Sequence, residues 1–129
     1  EDTVAKRFAQ ETGKDPVRAV LEVKKDEPLF AATCDFLVGD DELLECKTAG
    51  AWAANNFGIE GTDDVPVQYL CQAQWQLFVT GRKVCHLWVL RFSPTRFGRY
   101  VITADPKLHT TMAHQAKGAA RRRFGHRRQ

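Results

Sequence analysis

Three charged residues of the 129-residue chain have the types and the spacing of a hydrolytic metal site. Asp35 precedes Glu45 by ten residues, and Lys47 follows two residues later. Two close carboxylates repel each other, a divalent cation relieves that repulsion, and hard oxygen ligands favour Mg²⁺ or Mn²⁺ over zinc. A lysine beside the cation can hold or deprotonate an attacking water and offset the charge of a phosphate. The alternative interpretation is an ordinary salt bridge across two exposed strands.

The residues around this triplet predict which elements position it. A turn signal at residues 39–41 separates two apolar runs, so a hairpin would place Asp35 and Glu45 on adjacent strands, roughly opposite each other. Side chains alternate along a strand, so Glu45 and Lys47 share one face and Cys46 points into the core. The apolar neighbours of Glu45 indicate a covered strand, where charges are costly unless they are paired or bind a metal.

A helix predicted over residues 65–80 supplies further polar groups. Pro66 stands near its first position and Gly81 at its end, as is typical of helix termini. At 100° per residue this helix has a polar face and an apolar face. The polar face comprises Gln68, Tyr69, Gln72, Gln76 and Thr80, and the apolar face comprises Val67, Leu70, Cys71, Leu77 and Phe78. Neutral amides beside a carboxylate site can orient water and phosphate without adding charge, although plain solvation also explains a polar face.

The remaining elements are predicted from hydrophobic periodicity and turn signals. Helices are expected over residues 1–12, 65–80 and 106–123, and strands over residues 17–23, 29–38, 43–48, 84–92 and 99–103. Residues 50–64 are expected to form a loop with one helical turn around Trp52. The order α-β-β-β-α-β-β-α is mixed α/β, with a central sheet flanked by helices and its first three strands in an antiparallel meander. No long linker divides the chain, so residues 1–129 are expected to form one domain.

Charge and cysteine usage restrict the class of protein. Residues 106–129 carry seven Lys or Arg and no acid, whereas residues 1–105 hold 12 basic and 16 acidic residues. This asymmetry favours a polyanionic partner or, alternatively, a solvated basic end.

The four cysteines show no zinc spacing and are expected to be free thiols in a reducing cytoplasm. No run approaches the roughly 18 apolar residues of a membrane helix, and His86, inside an apolar strand, is interpreted as structural.

The stretch from Asp35 to Gly81 resembles the YqaJ and lambda exonuclease family, within the PD-(D/E)xK nuclease superfamily. Members of this family show an Asp, then about ten residues later a Glu-x-Lys strand, then a helix resembling Val-Pro-x-x-Tyr-x-x-Gln-x-Gln and a closing Val-Thr-Gly. In this sequence the corresponding elements are Asp35, the Glu45-Cys46-Lys47 strand, residues 65–74 and residues 79–81. The resemblance implies a restriction-endonuclease-like core with a central mixed sheet.

The resemblance also implies a set of ligands. Asp35, Glu45 and the Cys46 carbonyl would bind one or two Mg²⁺ ions. Glu1 falls where the family places an active-site Glu at the start of a helix, and Glu11 is the competing choice. Because the sequence starts at that Glu, we expect a nuclease core without the N-terminal segment that family members usually have.

Four further side chains receive roles from the resemblance. Lys47 would position or activate the attacking water, and Gln72 would orient it or contact the scissile phosphate. Tyr69 would support that geometry, and Gln74, on the apolar side of its helix, would secure the helix against the active-site strand. The basic end is not part of the family pattern, but Arg121, Arg122 and Arg123, followed by a basic tail at residues 124–129, are candidates for contacts with the DNA backbone.

The function implied by the resemblance is an Mg²⁺-dependent exonuclease that hydrolyses double-stranded DNA, 5′ to 3′, in phage-type homologous recombination. Its expected location is the cytoplasm of a bacterial host, its expected partner is a single-strand annealing protein, and its expected assembly is a closed homo-oligomeric ring around DNA. Two alternatives stay open: an endonuclease of the same superfamily that acts in repair or on junctions, and a DNA-binding module without catalysis.

Overall fold

The computed structural model describes residues 2–50, 56–92 and 95–125, except the side chains of residues 124 and 125. The helical turn predicted around Trp52 lies outside these ranges. The described elements are α1 (Asp2–Thr12), β1 (Pro16–Arg18), β2 (Leu21–Lys24), β3 (Glu27–Thr33), β4 (Phe36–Val38), β5 (Glu42–Ala49), α2 (Val67–Thr80), β6 (Val84–Arg91), β7 (Arg96–Thr103) and α3 (Pro106–Gly125).

Five of the strands form one mixed sheet in the order β1-β4-β5-β6-β7. The pair β5–β6 is parallel, and the other three pairs are antiparallel. The remaining two strands, β2 and β3, form a separate antiparallel ribbon. The predicted fold class, a central mixed sheet flanked by helices, is therefore confirmed.

Both faces of the five-stranded sheet are covered. Leu43 and Leu44 are both fully buried, although successive residues of a strand point to opposite faces. Leu44 packs with Phe8 of α1 and Trp88 of β6, whereas Leu43 belongs to the core that includes Leu77 of α2. β5 is thus a central strand with α1 on one side and α2 on the other. Its odd-numbered residues face α2.

Two of the predicted strands are divided. The strand predicted over residues 17–23 is interrupted after Arg18, and the one predicted over residues 29–38 is interrupted after Thr33. Their outer pieces, β1 and β4, pair in the five-stranded sheet, whereas β2 and β3 form the ribbon. The predicted antiparallel meander of three strands is confirmed, because β1 and β2 pair with β4 and β3, and β4 pairs with β5. Its first hairpin continues from the five-stranded sheet into the ribbon.

The helices agree more closely with the sequence. Gly81 ends α2 in the left-handed conformation, and its N–H donates to the Leu77 carbonyl, as its position after the helix predicts. α3 runs to Gly125, so the basic tail predicted at residues 124–129 begins within a helix. The four cysteines form no disulfide bond. In the part of the chain that is described, no helix is both long and apolar enough to cross a membrane.

Candidate active site

Asp35 and Glu45 lie side by side where β4 begins and β5 reaches its middle. The register pairs Phe36 with Leu44, which sets the two acids opposite each other one position further along. The Asp35 N–H donates to Glu45 Oε1 over 2.8 Å, and the Cys46 N–H donates to Asp35 Oδ2 over 2.9 Å. Each carboxylate is therefore held by the backbone of the other strand. The hairpin predicted from the turn signal is confirmed.

Glu45 is in a costly environment for a charge. Only 4% of its surface is exposed. Burial, with a further contribution from the charge of Asp35, raises the pKa of Glu45 to about 7, against the opposing effects of its hydrogen bonds and of Lys47. Desolvation and a like charge both disfavour the ionised form. An additional cation at this position would stabilise both carboxylates.

Lys47 lies on the same strand face as Glu45. Its Nζ is 4.0 Å from Glu45 Oε2, at the outer limit of a salt bridge, and its side chain is partly exposed. The same Nζ lies 5.2 Å from the centre of the Tyr69 ring, so α2 brings Tyr69 against it. A cation over an aromatic face is held in place without losing its charge. Lys47 is therefore fixed beside the acidic pair while its ammonium group can still reach a ligand.

The predicted polar face of α2 includes the residues that approach the acids, but it is not simply solvated. Gln76 of that face is only 1% exposed, whereas Val67 and Cys71 of the predicted apolar face are exposed. The reason is the β2–β3 ribbon, which packs on this side of α2, where Trp75 Nε1 donates to the Ala31 carbonyl over 3.0 Å. Helical periodicity cannot show that two separate elements cover one helix.

Gln76 is the site residue that sequence reasoning missed. Its Nε2 donates to the Thr33 carbonyl over 2.9 Å, and its amide also hydrogen-bonds the Glu45 carboxylate, which lowers the pKa of Glu45. Its Oε1 is buried and has no hydrogen-bond donor among the described residues. The available signal was its position one helical turn after Gln72, in a row of glutamines that solvation explains poorly.

Gln72 and Gln74 occupy different places. Gln72 is exposed and lines a shallow cleft of about 330 Å³ beside Gln76 and the ribbon. Gln74 is buried; its Nε2 donates to the Thr103 carbonyl over 2.8 Å, and its Oε1 accepts the Asp105 N–H over 3.0 Å. The structure thus brings Gln72 to the cleft, whereas Gln74 fastens α2 to the end of β7 and the start of α3 rather than to β5.

The donors around the acidic pair suit a hard divalent cation. Each carboxylate has one oxygen that accepts a backbone N–H, which fixes the direction of the other oxygen. Carboxylate and carbonyl oxygens are the ligands that Mg²⁺ uses in proteins. Within residues 2–50, 56–92 and 95–125, no group of three or more His, Cys, Asp or Glu forms a metal cluster. The predicted ligand Glu1 lies outside those ranges, and the acidic pair supplies two of the ligands that were predicted.

The other residues considered from the sequence have structural or surface positions. The carboxylate of Glu11, the alternative ligand, pairs with Arg99, whose Nε donates to Glu11 Oε2 over 2.8 Å. His86 contacts Glu42 Oε1 through Nε2 over 2.6 Å, on the sheet face opposite the acidic pair, in agreement with a structural role. Arg121, Arg122 and Arg123 are exposed in the last turns of α3, and Arg121 lines an open groove with Lys117 and Phe78.

Comparison with known proteins places this arrangement in a family context. The model of the YqaJ-like viral recombinase domain matches residues 1–83, which include Asp35, Glu45, Lys47, Tyr69 and Gln72. This match confirms the resemblance seen in the sequence motifs. No curated protein sequence matches the chain significantly.

Solved structures show the same fold. The alkaline exonuclease from Laribacter hongkongensis aligns with a TM-score of 0.70 and 23% identity over 98% of this chain and 69% of that one. Its complex with dAMP gives a TM-score of 0.66 and 20% identity over 96% and 70%. A phage-related exonuclease from Haemophilus somnus gives 0.57 and 13% over 83% and 59%.

Proposed function

The chain belongs to the family of YqaJ-like viral recombinase domains, and on this premise we propose that it is a metal-dependent nuclease that hydrolyses phosphodiester bonds of double-stranded DNA in phage-type recombination. The observation that carries the proposal is the pairing of Asp35 with the buried Glu45 beside Lys47. Two acids held together away from water, with a partly exposed lysine next to them, suit a cation and a phosphate. The proposed cofactor is Mg²⁺, for which Mn²⁺ can substitute.

Asp35, Glu45 and the Cys46 carbonyl would hold the ion, and Glu1 is proposed as a further ligand. The ion, when bound, polarises the phosphate and lowers the pKa of a bound water. Lys47 holds or deprotonates the attacking water and balances the charge of the phosphate. Tyr69, on α2, keeps the Lys47 ammonium in place, because the centre of its ring lies 5.2 Å from Lys47 Nζ.

The glutamines of α2 would act from the other side of the cleft. Gln72, exposed beside Gln76, is positioned to orient water or to contact the scissile phosphate. Gln76 would set the direction of the Glu45 carboxylate, because it joins that carboxylate to the Thr33 carbonyl. Partners of this kind orient a metal ligand and affect metal affinity about as strongly as some direct ligands do.

The decisive experiment replaces Lys47 and Glu45. Lys47→Ala and Glu45→Ala proteins should still bind linear duplex DNA but should not degrade it in Mg²⁺. Lys83→Ala, which removes an exposed lysine just before β6, is the matched control and should cleave like the parent. Wild-type cleavage by Lys47→Ala would show that the assignment of the active site is wrong.

The direction of attack is proposed to be exonucleolytic from a 5′ end. Linear duplexes labelled at either end and a covalently closed circle distinguish the possibilities. Release of 5′ label with an intact circle supports the proposal, whereas nicking of the circle supports an endonuclease. Metal-independent binding without any cleavage would instead support a DNA-binding module.

Partners and location follow from family membership and are proposals as well. A single-strand annealing protein would receive the strand that digestion exposes, and a homo-oligomeric ring would enclose the duplex in the cytoplasm of a bacterial host. Sedimentation of the chain with and without duplex DNA tests the ring.

The exposed end of α3 is proposed to contact the DNA backbone. A variant that combines Arg121→Glu, Arg122→Glu and Arg123→Glu should then weaken duplex binding.

A further inference from the structure

Arg91 ends β6 on the sheet face that carries the acidic pair. In the parallel pair β5–β6, Lys47 is in register with Val89, and Ala49 is in register with Arg91. Paired residues of neighbouring strands point to the same side, so Arg91, Lys47 and Glu45 share one face. From a strand spacing of about 4.8 Å and a rise of about 3.3 Å per residue, the Cα atoms of Arg91 and Lys47 lie roughly 8 Å apart.

Two stacked rings connect the two cations. The Lys47 ammonium lies over Tyr69, and the Arg91 guanidinium lies 5.6 Å from the centre of the Phe57 ring. Tyr69 and Phe57 are themselves stacked, with ring centres 5.9 Å apart and planes 23° apart. Each cation therefore contacts one ring of the same aromatic pair, which connects the positions of Lys47 and Arg91.

The Arg91 guanidinium has few polar partners. Its Nη2 donates to the Tyr100 hydroxyl over 2.6 Å, whereas its Nε is buried and has no hydrogen-bond acceptor in the described part of the chain. Gly98 lies against both side chains, because a Cβ there would be 3.2 Å from Tyr100 Cε2 and 3.4 Å from Arg91 Nε and Nη2. The backbone thus accommodates a guanidinium whose hydrogen-bonding capacity is only partly used.

The charge of Arg91 also contrasts with that of other arginines on this domain. Arg99 pairs with Glu11, and Arg96 pairs with Glu60. Among the described residues, which do not include Glu1, no carboxylate forms a salt bridge with Arg91, and its Nε has no hydrogen-bond acceptor there. A half-buried charge without a counterion is unfavourable unless an anion from outside completes it.

We propose that Arg91 binds a backbone phosphate of the DNA strand, next to the phosphate that Lys47 contacts. This inference rests on the proposed function for the identity of the anion. A planar guanidinium with unused donors suits a phosphate group. The stacked rings connect its position to that of Lys47, and successive phosphates of a strand would meet the two cations in turn.

The test measures duplex binding in EDTA, so that neither the metal nor cleavage enters. Arg91→Met should weaken binding by about tenfold and reduce the slope of log affinity against log salt by about 0.9, the value for one phosphate contact. Arg91→Lys should restore most of the slope. Lys83→Met, which removes a positive charge beside the opposite end of β6, is the matched control and should keep the parent slope.

A structural role of Arg91 is separated by Tyr100→Phe, which removes the hydrogen bond to Nη2 but leaves the charge. Tyr100→Phe should bind DNA with the parent salt slope even if its melting temperature falls. An unchanged slope in Arg91→Met, or an equal loss of slope in Tyr100→Phe, overturns the proposal, as does an inability of the parent chain to bind duplex DNA. Arg91-dependent binding without any cleavage in Mg²⁺ would support Arg91 as the phosphate contact and refute the nuclease proposal alone.

Discussion

Strand β5 carries two glutamates three residues apart in opposite electrostatic situations. Glu42 accepts hydrogen bonds from Lys14 Nζ over 3.0 and 2.8 Å and contacts His86 Nε2 over 2.6 Å. Its pKa is lowered, chiefly by the hydrogen bond from Lys14. Glu45 lies deeper and beside Asp35, and burial raises its pKa to about 7. The same strand therefore carries one carboxylate whose charge is balanced by a neighbouring lysine and one that lacks sufficient positive charge beside it.

This difference separates a structural acid from a candidate metal ligand better than residue type does. The hydrogen-bond partners of Glu42 belong to the fold itself, Lys14 from the loop after α1 and His86 from β6, so the group is complete in the folded chain. The nearest cation to Glu45, Lys47, is 4.0 Å away and also lies over Tyr69. The charge deficit at Glu45 and Asp35 can be filled from outside, which is what a metal site requires.

The largest expected effect comes from replacing each glutamate by its uncharged isostere. Glu45→Gln should reduce Mg²⁺-dependent cleavage of linear duplex by at least about a thousandfold, because metal binding supplies several kcal/mol of transition-state stabilisation. Glu42→Gln should stay within about twofold of the parent, since its interactions lie on the opposite sheet face. Rates of nucleotide release under saturating DNA measure both. Equal losses in the two variants would remove the distinction between the two acids.

The next effect concerns the two buried glutamines of α2. Gln76→Met should weaken Mn²⁺ binding by about 10–100-fold, as expected for a residue that orients a metal ligand. Gln74→Met is the matched control, because it also removes a buried amide, but one whose three hydrogen bonds go to Thr103, Asp105 and His109 and not to the acidic pair. Titration followed by electron paramagnetic resonance measures the affinity, and thermal unfolding measures stability. If both variants lose stability but neither loses Mn²⁺ affinity, Gln76 acts only in packing.

The parts of the site that depend on local sequence could be predicted. The turn at residues 39–41 and the alternation of side chains place Asp35, Glu45 and Lys47 correctly, because both rules act over a few residues. The capping of α2 by Gly81 follows from the same kind of local argument.

The parts that depend on distant packing could not be predicted. Gln76 is buried because a ribbon formed by β2 and β3 covers α2, and no periodicity within the helix shows that contact. Arg91 was not singled out, since its contacts with Phe57 and Tyr100 become visible only when β6, β7 and residue 57 are assembled. The division of two strands also depends on packing, because the hairpin that they form leaves the five-stranded sheet and continues as the ribbon that covers α2.

In metal-free protein, the contributions of the two glutamates to the free energy of unfolding should change with pH in opposite directions. The folded pKa of Glu45 is above its unfolded value, so its contribution to stability is present below about pH 4.5 and is lost as the pH rises to about 7. The loss is at most ~3 kcal/mol, from about 1.36 kcal/mol for each unit of pKa. Because Glu42 has a lowered pKa, its contribution is present above its unfolded pKa and is lost as the pH falls.

Urea unfolding in EDTA at pH 3, 4.5, 6 and 8 measures this difference. The free energy of unfolding of the parent minus that of Glu45→Gln should fall as the pH rises, whereas the parent minus Glu42→Gln should rise over the acid part of the range. Slopes of the same sign would mean that the two carboxylates are in similar environments, contrary to their contacts.

The smallest expected effect is the loss of stability in Glu42→Gln at pH 7. Lys14 is about half exposed, so water screens part of its attraction for Glu42, and pairs of this kind contribute about 0–1 kcal/mol. The contact between His86 and Glu42 is less exposed. It adds to that value only while the imidazole N–H donates a hydrogen bond to the carboxylate. We therefore expect a loss of about 1 kcal/mol in urea unfolding. A matching Lys14→Met variant should lose no more than Glu42→Gln, because it leaves the contact with His86 intact. A loss above about 3 kcal/mol in Glu42→Gln would mean that this acid, too, depends on buried charge compensation, and the contrast with Glu45 would then rest on metal binding alone.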